Sequence, residues 1–295
     1  MAAKIIDLHV HGIEGSDTRE ADPSTILGIA EVQGRIGVSE IVLSVYSGAI
    51  EVMRGQMAAV EGAMKEQSAA SVAGCGASGT AEAAVILGIH LEGPFLNAAQ
   101  CGALDPASFL EPQERAFRRL VEGFEGIVRI VTVAPEKKGA VELIRMMAAA
   151  GIAVNMGHSN ATYTEAEAGF RAGARGITHL FNGMRPFHHR EPGIAGFALV
   201  NSEIYVEVIG DLVHSSPHAL ELVFRMKAPD RIILVSDSVR ETKVSQNREP
   251  RDEEGRLLGG SLSLPSAMTR LIKAGFDAET VTRAATENPE RYLRA

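Results

Sequence analysis

The sequence predicts an α/β fold, a (β/α)8 TIM barrel filling residues 1–295 as one domain, and three observations predict it. Short β-branched runs alternate with longer amphipathic stretches along the whole chain. Most of the short runs are apolar throughout, as parallel strands covered on both faces must be. The chain has 295 residues, 45% of them hydrophobic, which exceeds the typical domain and suits one barrel. A doubly wound open sheet is the other architecture that such alternation allows.

Strands are expected at 4–11, 40–45, 85–91, 127–133, 152–157, 176–180, 204–209 and 231–236. The first, KIIDLHVH, enters the fold directly. EIVLSV, VILGIHL, IVRIVTV and RIILVS are near-continuous apolar runs. Helices are expected at 23–36, 51–66, 112–124, 140–150, 164–172, 217–227, 261–274 and 278–292, where apolar residues recur at helical spacing. Pro23, Pro112 and Pro217 stand at helix starts, where a missing N–H costs nothing. The irregular stretches 95–111 and 239–260 are long for a compact domain, which marks them as functional or mobile.

Composition narrows the function. The formal charge is −8 and no Lys/Arg-rich run occurs, which argues against nucleic acid or an anionic membrane as partner. An anionic substrate would need a local basic pocket. No stretch approaches the roughly 20 apolar residues of a membrane span, and the opening MAAKIIDLHVHG is no signal peptide. Cys75 and Cys101, the only cysteines, form no CxxC pair, and a reduced, cytoplasmic setting is expected. Aromatics make up 5% and Trp is absent, so the core must be aliphatic.

The polar residues fall at one end of the strands. His9 and His11 close the first strand two residues apart, and so face the same way. Glu92 ends the third, His158 the fifth and His179 the sixth; Asp211 and His214 follow the seventh, and Asp237 the eighth. Barrel enzymes place their chemistry at the C-terminal strand ends. Taken singly, a strand His is more often a hydrogen-bonded core residue, and an acidic residue after a strand is often a helix cap. Together these groups would cost several kcal/mol each if buried unpaired, and a divalent cation removes that cost. Imidazole nitrogen and carboxylate oxygen suit zinc, and also iron, manganese or cobalt.

The motifs HLEGPFLN (90–97), GHSNAT (157–162), THLFNGM (178–184), REPGIAG (190–196), DLVH (211–214) and the SDS around Asp237 resemble those of the N-acetylglucosamine-6-phosphate deacetylase family, of the metal-dependent amidohydrolase superfamily. The resemblance implies a deacetylase that releases acetate from N-acetylglucosamine-6-phosphate or a close amino-sugar phosphate. It implies Glu92, His158 and His179 as ligands of the principal metal, and His9 and His11 as holders of a second. Asp237 would be the catalytic acid/base. His214 would touch the sugar near the scissile amide. Asn182, Gly183 and Arg190 would hold the phosphate, with backbone N–H groups and a guanidinium fork as the physical means. The plain alternative for Arg190 is a surface ion pair with Glu191 or a neighbour. Arg185 adds local positive charge. His90 is expected to pack inside the barrel, and His188, His189 and His218 receive no role. The resemblance further implies a homodimer in which Arg190 can serve either subunit.

Two departures stand out. Family members carry a small β-sandwich built from both flanks of the barrel, and a bare barrel is expected here. Where the family reads KKGAH after LEGPFLN, this chain has Gln100-Cys101-Gly102-Ala103-Leu104, which loosens the sugar assignment at Leu104. The charged stretch 239–260 is either a lid or a solvated loop. Competing readings are an amidohydrolase for another N-acyl or cyclic amide, and a catalytically silent sugar-phosphate binder. A carbamylated-lysine site is disfavoured, because the fourth strand holds no Lys and Lys137 and Lys138 lie beyond it.

Overall fold

Eight parallel strands follow one another around a sheet in chain order. The computed structural model describes residues 4–72, 83–245 and 248–294. The barrel strands are β1 (Ile6–Val10), β4 (Glu40–Tyr46), β5 (Val85–Glu92), β6 (Val128–Val133), β7 (Ala153–Met156), β8 (Gly176–Ile177), β9 (Tyr205–Ile209) and β10 (Ile232–Val235). A short hairpin, β2 (Gly12–Ile13) with β3 (Ser16–Asp17), follows β1. The ring closes where Val10 bridges Ser238, with the His11 N–H donating to Ser238 O at 2.8 Å. Closure rules out the open doubly wound sheet.

The seam also uses a side chain. Asp7 Oδ1 accepts from the Ser236 N–H at 3.1 Å and from the His9 N–H at 3.3 Å, tying the end of β10 to β1. Burial pushes the Asp7 carboxyl up to about 7, against those hydrogen bonds.

The helices are α1 (Pro23–Arg35), α2 (Ile50–Val72), α3 (Glu114–Val121), α4 (Ala140–Ala149), α5 (Tyr163–Arg171), α6 (Gly193–Val200), α7 (Pro217–Met226), α8 (Leu264–Lys273), α9 (Ala278–Ala285) and α10 (Glu287–Arg294). Their starts are written in sequence. Asp22 caps α1 with Pro23 in its first turn, and Ser216 caps α7 with Pro217 behind it. Thr162 and Glu165 form a reciprocal capping box on α5. A large aliphatic cluster, with Ile26, Met57, Leu143, Phe197 and Leu271, fills the layer between strands and helices. A smaller one gathers Ile6, Ile130 and Tyr205 around Tyr292 of α10.

Three expectations shift. The sixth strand is two residues long, because the backbone turns left-handed at His179 and Phe181. The expected helix 278–292 is two helices, broken at Thr286. Helix α6 was not expected. Its residues from Gly193 to Leu199 are all buried, so it lacks the polar face that betrays a surface helix. Cys75 and residues 246–247 of the long loop lie outside the described residues.

Candidate metal centre

Six side chains from five strand ends meet in the barrel mouth. Glu92 is the hub. Its Oε1 stands 3.0 Å from His158 Nε2 and 3.0 Å from His179 Nε2. His9 Nε2 lies 3.5 Å from the same oxygen, and His11 Nε2 lies 3.2 Å from Oε2. Asp237 Oδ1 approaches His9 Nε2 at 3.4 Å and His11 Nε2 at 3.7 Å. These fall into two buried groups of candidate ligands, His9–His11–Asp237 and Glu92–His158–His179, each with its ligand atoms within 4.8 Å of one another.

The donor set calls for a cation. His158 Nδ1 faces Gln100 O at 2.9 Å, and His179 Nδ1 faces Asn182 O at 3.2 Å. A carbonyl only accepts, so each Nδ1 carries the proton and donates. In the neutral ring each Nε2 is then a bare lone pair aimed at a carboxylate oxygen. His9 Nε2 and His11 Nε2 face each other at 3.1 Å, where only one of the two can donate and does so by giving up its lone pair. A divalent ion resolves these clashes together. Ligand bonds of about 2.0–2.2 Å put neighbouring donor atoms roughly 3.3–3.6 Å apart around a tetrahedral ion, close to the spacing seen here.

Electrostatics agrees. Burial, reinforced by Glu92, Glu207, Asp7 and Asp211, pushes Asp237 well above the usual carboxylate range. Burial acts to raise Glu92 too, but the imidazoles of His11, His158 and His179 outweigh it and hold it well below that range.

The backbone is bent to bring the ligands in. His158, His179 and Asp237 have φ of 45°, 29° and 50°. Left-handed backbone costs roughly 1–3 kcal/mol at a non-glycine residue, and Asp and His are among the types that tolerate it best. The strain thus sits on the residues that turn from the strand into the mouth. For Asp237 it is stabilised by Gly260, whose N–H donates to Asp237 O at 2.7 Å. A Cβ at Gly260 would lie 1.8 Å from Ser236 O, so only glycine passes there.

The segment 178–193 does more than the sequence suggested. Asn182 O receives the His179 Nδ1–H, and the Asn182 amide turns back to His179 O and Leu180 O. Gly183 has φ 56°, and a Cβ there would stand 2.8 Å from His158 Nδ1. The turn expected to cradle a phosphate thus brackets the imidazoles of His158 and His179. Arg190 behaves otherwise. It is exposed, with Nη1 3.2 Å from His189 Nε2, and the structure does not bring it to the Glu92 cluster. The ion pair with Glu191 does not form: Glu191 accepts the N–H groups of Tyr163 and Gly193 instead. His188, His189 and His218 are exposed, and Leu104 is half-buried beside Gln100's loop. His90 lies inside the barrel, Nε2 2.7 Å from Thr132 Oγ1 and its ring 4.5 Å from that of His9.

His214 sits at the mouth with Nδ1 2.9 Å from Asp211 Oδ2. Asp211 also accepts from the N–H groups of Val213, His214 and Ser261 and from Ser261 Oγ. Burial would raise Asp211, but His214 and these donors hold it well below the carboxylate range. Asp211 was noticed in the sequence but given no role; the three-residue spacing of DLVH was its signal. Two more partners went unread. Tyr46 stacks on His11 with ring centroids 3.7 Å apart, and Arg19 covers Tyr46 at 4.4 Å. Glu207 lies fully inside the barrel, and burial raises its carboxyl. One acidic residue in the apolar run IYVEVI was its signal.

No family model matches the chain. It is 35% identical over 237 residues to the N-acetylglucosamine-6-phosphate deacetylase of Bacillus subtilis (strain 168), a match covering 80% of this chain and 57% of the relative. It is 30% identical over 302 residues to the N-acetylgalactosamine-6-phosphate deacetylase of Escherichia coli O157:H7, covering 98% and 76%. It is 31% identical over 318 residues to the N-acetylglucosamine-6-phosphate deacetylase of Bos taurus, covering 99% and 74%. The match thus spans little more than half the length of the Bacillus relative and about three quarters of the other two. Among solved structures, a variant of the Mycobacterium smegmatis N-acetyl-D-glucosamine-6-phosphate deacetylase in complex with N-acetyl-D-glucosamine-6-phosphate superposes with a TM-score of 0.85 at 29% identity, covering 99% of this chain and 77% of that one. The Thermotoga maritima N-acetylglucosamine-6-phosphate deacetylase gives 0.85 at 27%, covering 99% and 78%. With this fold, this cluster of imidazoles and carboxylates and these relatives, the chain belongs to the N-acetylglucosamine-6-phosphate deacetylase family of amidohydrolases.

Proposed function

We propose that the chain hydrolyses the acetamide of N-acetylglucosamine-6-phosphate to acetate and the amino-sugar phosphate. The observation that carries this reading is the position of Asp237, within 3.4 Å and 3.7 Å of two imidazoles in a mouth already ordered around Glu92. A silent binding protein has no use for a strained carboxylate there.

The roles follow from the geometry. His9, His11, Glu92, His158 and His179 would hold one or two divalent ions, zinc by ligand type, with iron, manganese and cobalt sharing that chemistry. The ion would polarise the amide carbonyl and acidify the attacking water. Asp237 takes the proton from that water and returns it to the amine as the C–N bond breaks. His214, its Nδ1 tied to Asp211, would touch the sugar near the scissile amide. Asn182, Gly183 and Arg190 would hold the phosphate, with the Asn182 N–H already donating to His179 O at 2.9 Å and Gly183 at the left-handed φ of 56°. Arg190, exposed and away from its own mouth, fits a homodimer in which it completes the site of the partner subunit. No helix among the described residues is long and apolar enough to cross a membrane, and the free thiol of Cys101 suits a reducing, cytoplasmic setting.

The E. coli relative gives one second reading, the galacto epimer of the same substrate. Leu104, on the loop that fixes His158 through Gln100, is where this chain departs from the family pattern. Acetate release from both sugar phosphates, with metal-loaded protein beside an Asp237→Asn control, tests the proposal. Turnover of the gluco compound that vanishes in the control supports it. Preference for the galacto compound moves the substrate. Release from neither sinks both.

A further inference from the structure

Beneath the mouth a polar column crosses the barrel interior. The Tyr292 hydroxyl, on α10, donates to Asn155 Oδ1. Asn155 Nδ2 donates to Glu207 Oε1 at 2.7 Å. Glu207 Oε2 then stands 3.6 Å from His9 Nδ1. Both of those last atoms are buried, and among the described residues neither makes a hydrogen bond. A buried polar atom without a partner costs roughly 1–3 kcal/mol, and here two such atoms, one able to donate and one able only to accept, face each other just beyond bond length. A closure of about half an ångström joins them.

The arrangement has a direction. His9 has one nitrogen turned up to Glu92 and Asp237 and the other turned down to Glu207. A proton held on Nδ1 by the lower carboxylate leaves Nε2 as a lone pair for a cation, and the ring cannot then flip. The Asn155 amide fixes which Glu207 oxygen is free to do this. Resting on the metal reading above, we propose that Glu207 is a positioning residue for the metal centre: it sets the tautomer and orientation of His9 from inside the barrel, with Asn155 and Tyr292 as its support. The plainer role, a core hydrogen bond to Asn155 and nothing more, predicts no link to the ion.

The test is metal affinity. Protein stripped with a chelator is titrated with cobalt(II) against a chromophoric competitor, for the parent chain, Glu207→Gln, His9→Asn and the double variant. Glu207→Gln keeps size and polarity, and removes the carboxylate that His9 needs. It should weaken cobalt binding about 10- to 100-fold, the usual effect of losing a ligand's outer partner. In the His9→Asn background the same substitution should change affinity less than about threefold, because its target is gone. If Glu207→Gln binds as the parent does, or loses the same factor in both backgrounds, Glu207 is only a core residue and the inference falls. If Glu207→Gln does not fold, Glu207→Asp, which withdraws the carboxylate by one methylene, takes its place in the same cycle. A parent chain that binds no cobalt overturns the metal reading itself and this inference with it.

Discussion

The mouth of the barrel and the exposed end of the loop after β8 are only a few residues apart in sequence, and they are built in opposite ways. In the mouth every imagined role is over-determined. His158 is held by Gln100 O and crowded by Gly183; His179 is held by Asn182 O; both meet Glu92. From Pro186 to Arg190 the chain is exposed, and Arg190 touches His188 and His189 but nothing of the cluster. On the proposed function the difference separates chemistry from recognition: the residues of the reacting end are held in place by this chain's own contacts, while Arg190, proposed for the phosphate, stands exposed. Substitutions in the mouth should therefore strike metal content and turnover, and those in the loop should strike substrate affinity.

The strongest break comes at the hub. Glu92→Gln leaves four imidazoles converging on a neutral amide. Removing one partner of a buried charged cluster costs about 3–5 kcal/mol, or two to three decades and more in metal affinity. Metal analysis after dialysis against buffer at micromolar metal should find the variant empty and inactive. Full metal content would show that the ion is held without Glu92. Asp237→Asn divides the mouth more finely. It should lower turnover by about 100- to 10,000-fold as a lost acid/base, while the Glu92–His158–His179 group still binds metal. Loss of metal and turnover in parallel would make Asp237 a ligand first.

The next effect lies at the mouth's rim. Asp211→Asn frees His214 to flip and should cost about 10- to 100-fold in turnover with metal content unchanged. It carries a pH signature as well. Asp211 is held below its ordinary 3.8, so its contribution to stability is full above that value and is lost as pH falls through the lower folded value. Urea unfolding of the parent chain should weaken below about pH 4 more steeply than that of Asp211→Asn. Identical slopes would mean that the Asp211–His214 pair is not linked to stability.

How much of this could be read beforehand follows from the same contrast. The eight strands and the buried imidazoles and carboxylates gathered at their ends were legible, because period-two spacing and apolar runs report directly on burial. What supports the ligands was not. Gln100 and Asn182 act through backbone carbonyls, which any residue type supplies, so the sequence holds no trace of their work. Glu207 hides in a strand, and its partner Asn155 lies 52 residues away in another. Helix α6 is apolar on all sides and shows no amphipathic period. Gly183 was read for its freedom toward a phosphate, whereas its first neighbour is a side chain of the same molecule.

Gly183 lies on the border of the two regions, and a substitution there shows to which it belongs. Alanine would meet His158 Nδ1 at 2.8 Å and sit at φ 56°. The strain should cost roughly 1–2 kcal/mol and displace the imidazole. Thermal stability and metal affinity should both fall, by about a factor of ten in the latter. If only KM for the sugar phosphate rises, Gly183 belongs with the recognition loop, and its closeness to His158 is incidental.

Arg190→Ala should have the smallest effect and carries the question of the second subunit. An exposed hydrogen-bonding group is worth about 1 kcal/mol, so KM should rise five- to tenfold with turnover unchanged, the pattern of lost ground-state binding. Mixing then tells where the guanidinium acts. Arg190→Ala keeps an intact mouth; Asp237→Asn keeps its arginine. If Arg190 reaches the site of the partner subunit, a mixed dimer contains one site with both the base and the arginine, and a low-KM fraction returns when the two variants are refolded together. If it acts within its own chain, every site in the mixture lacks one or the other, and KM stays high at any ratio.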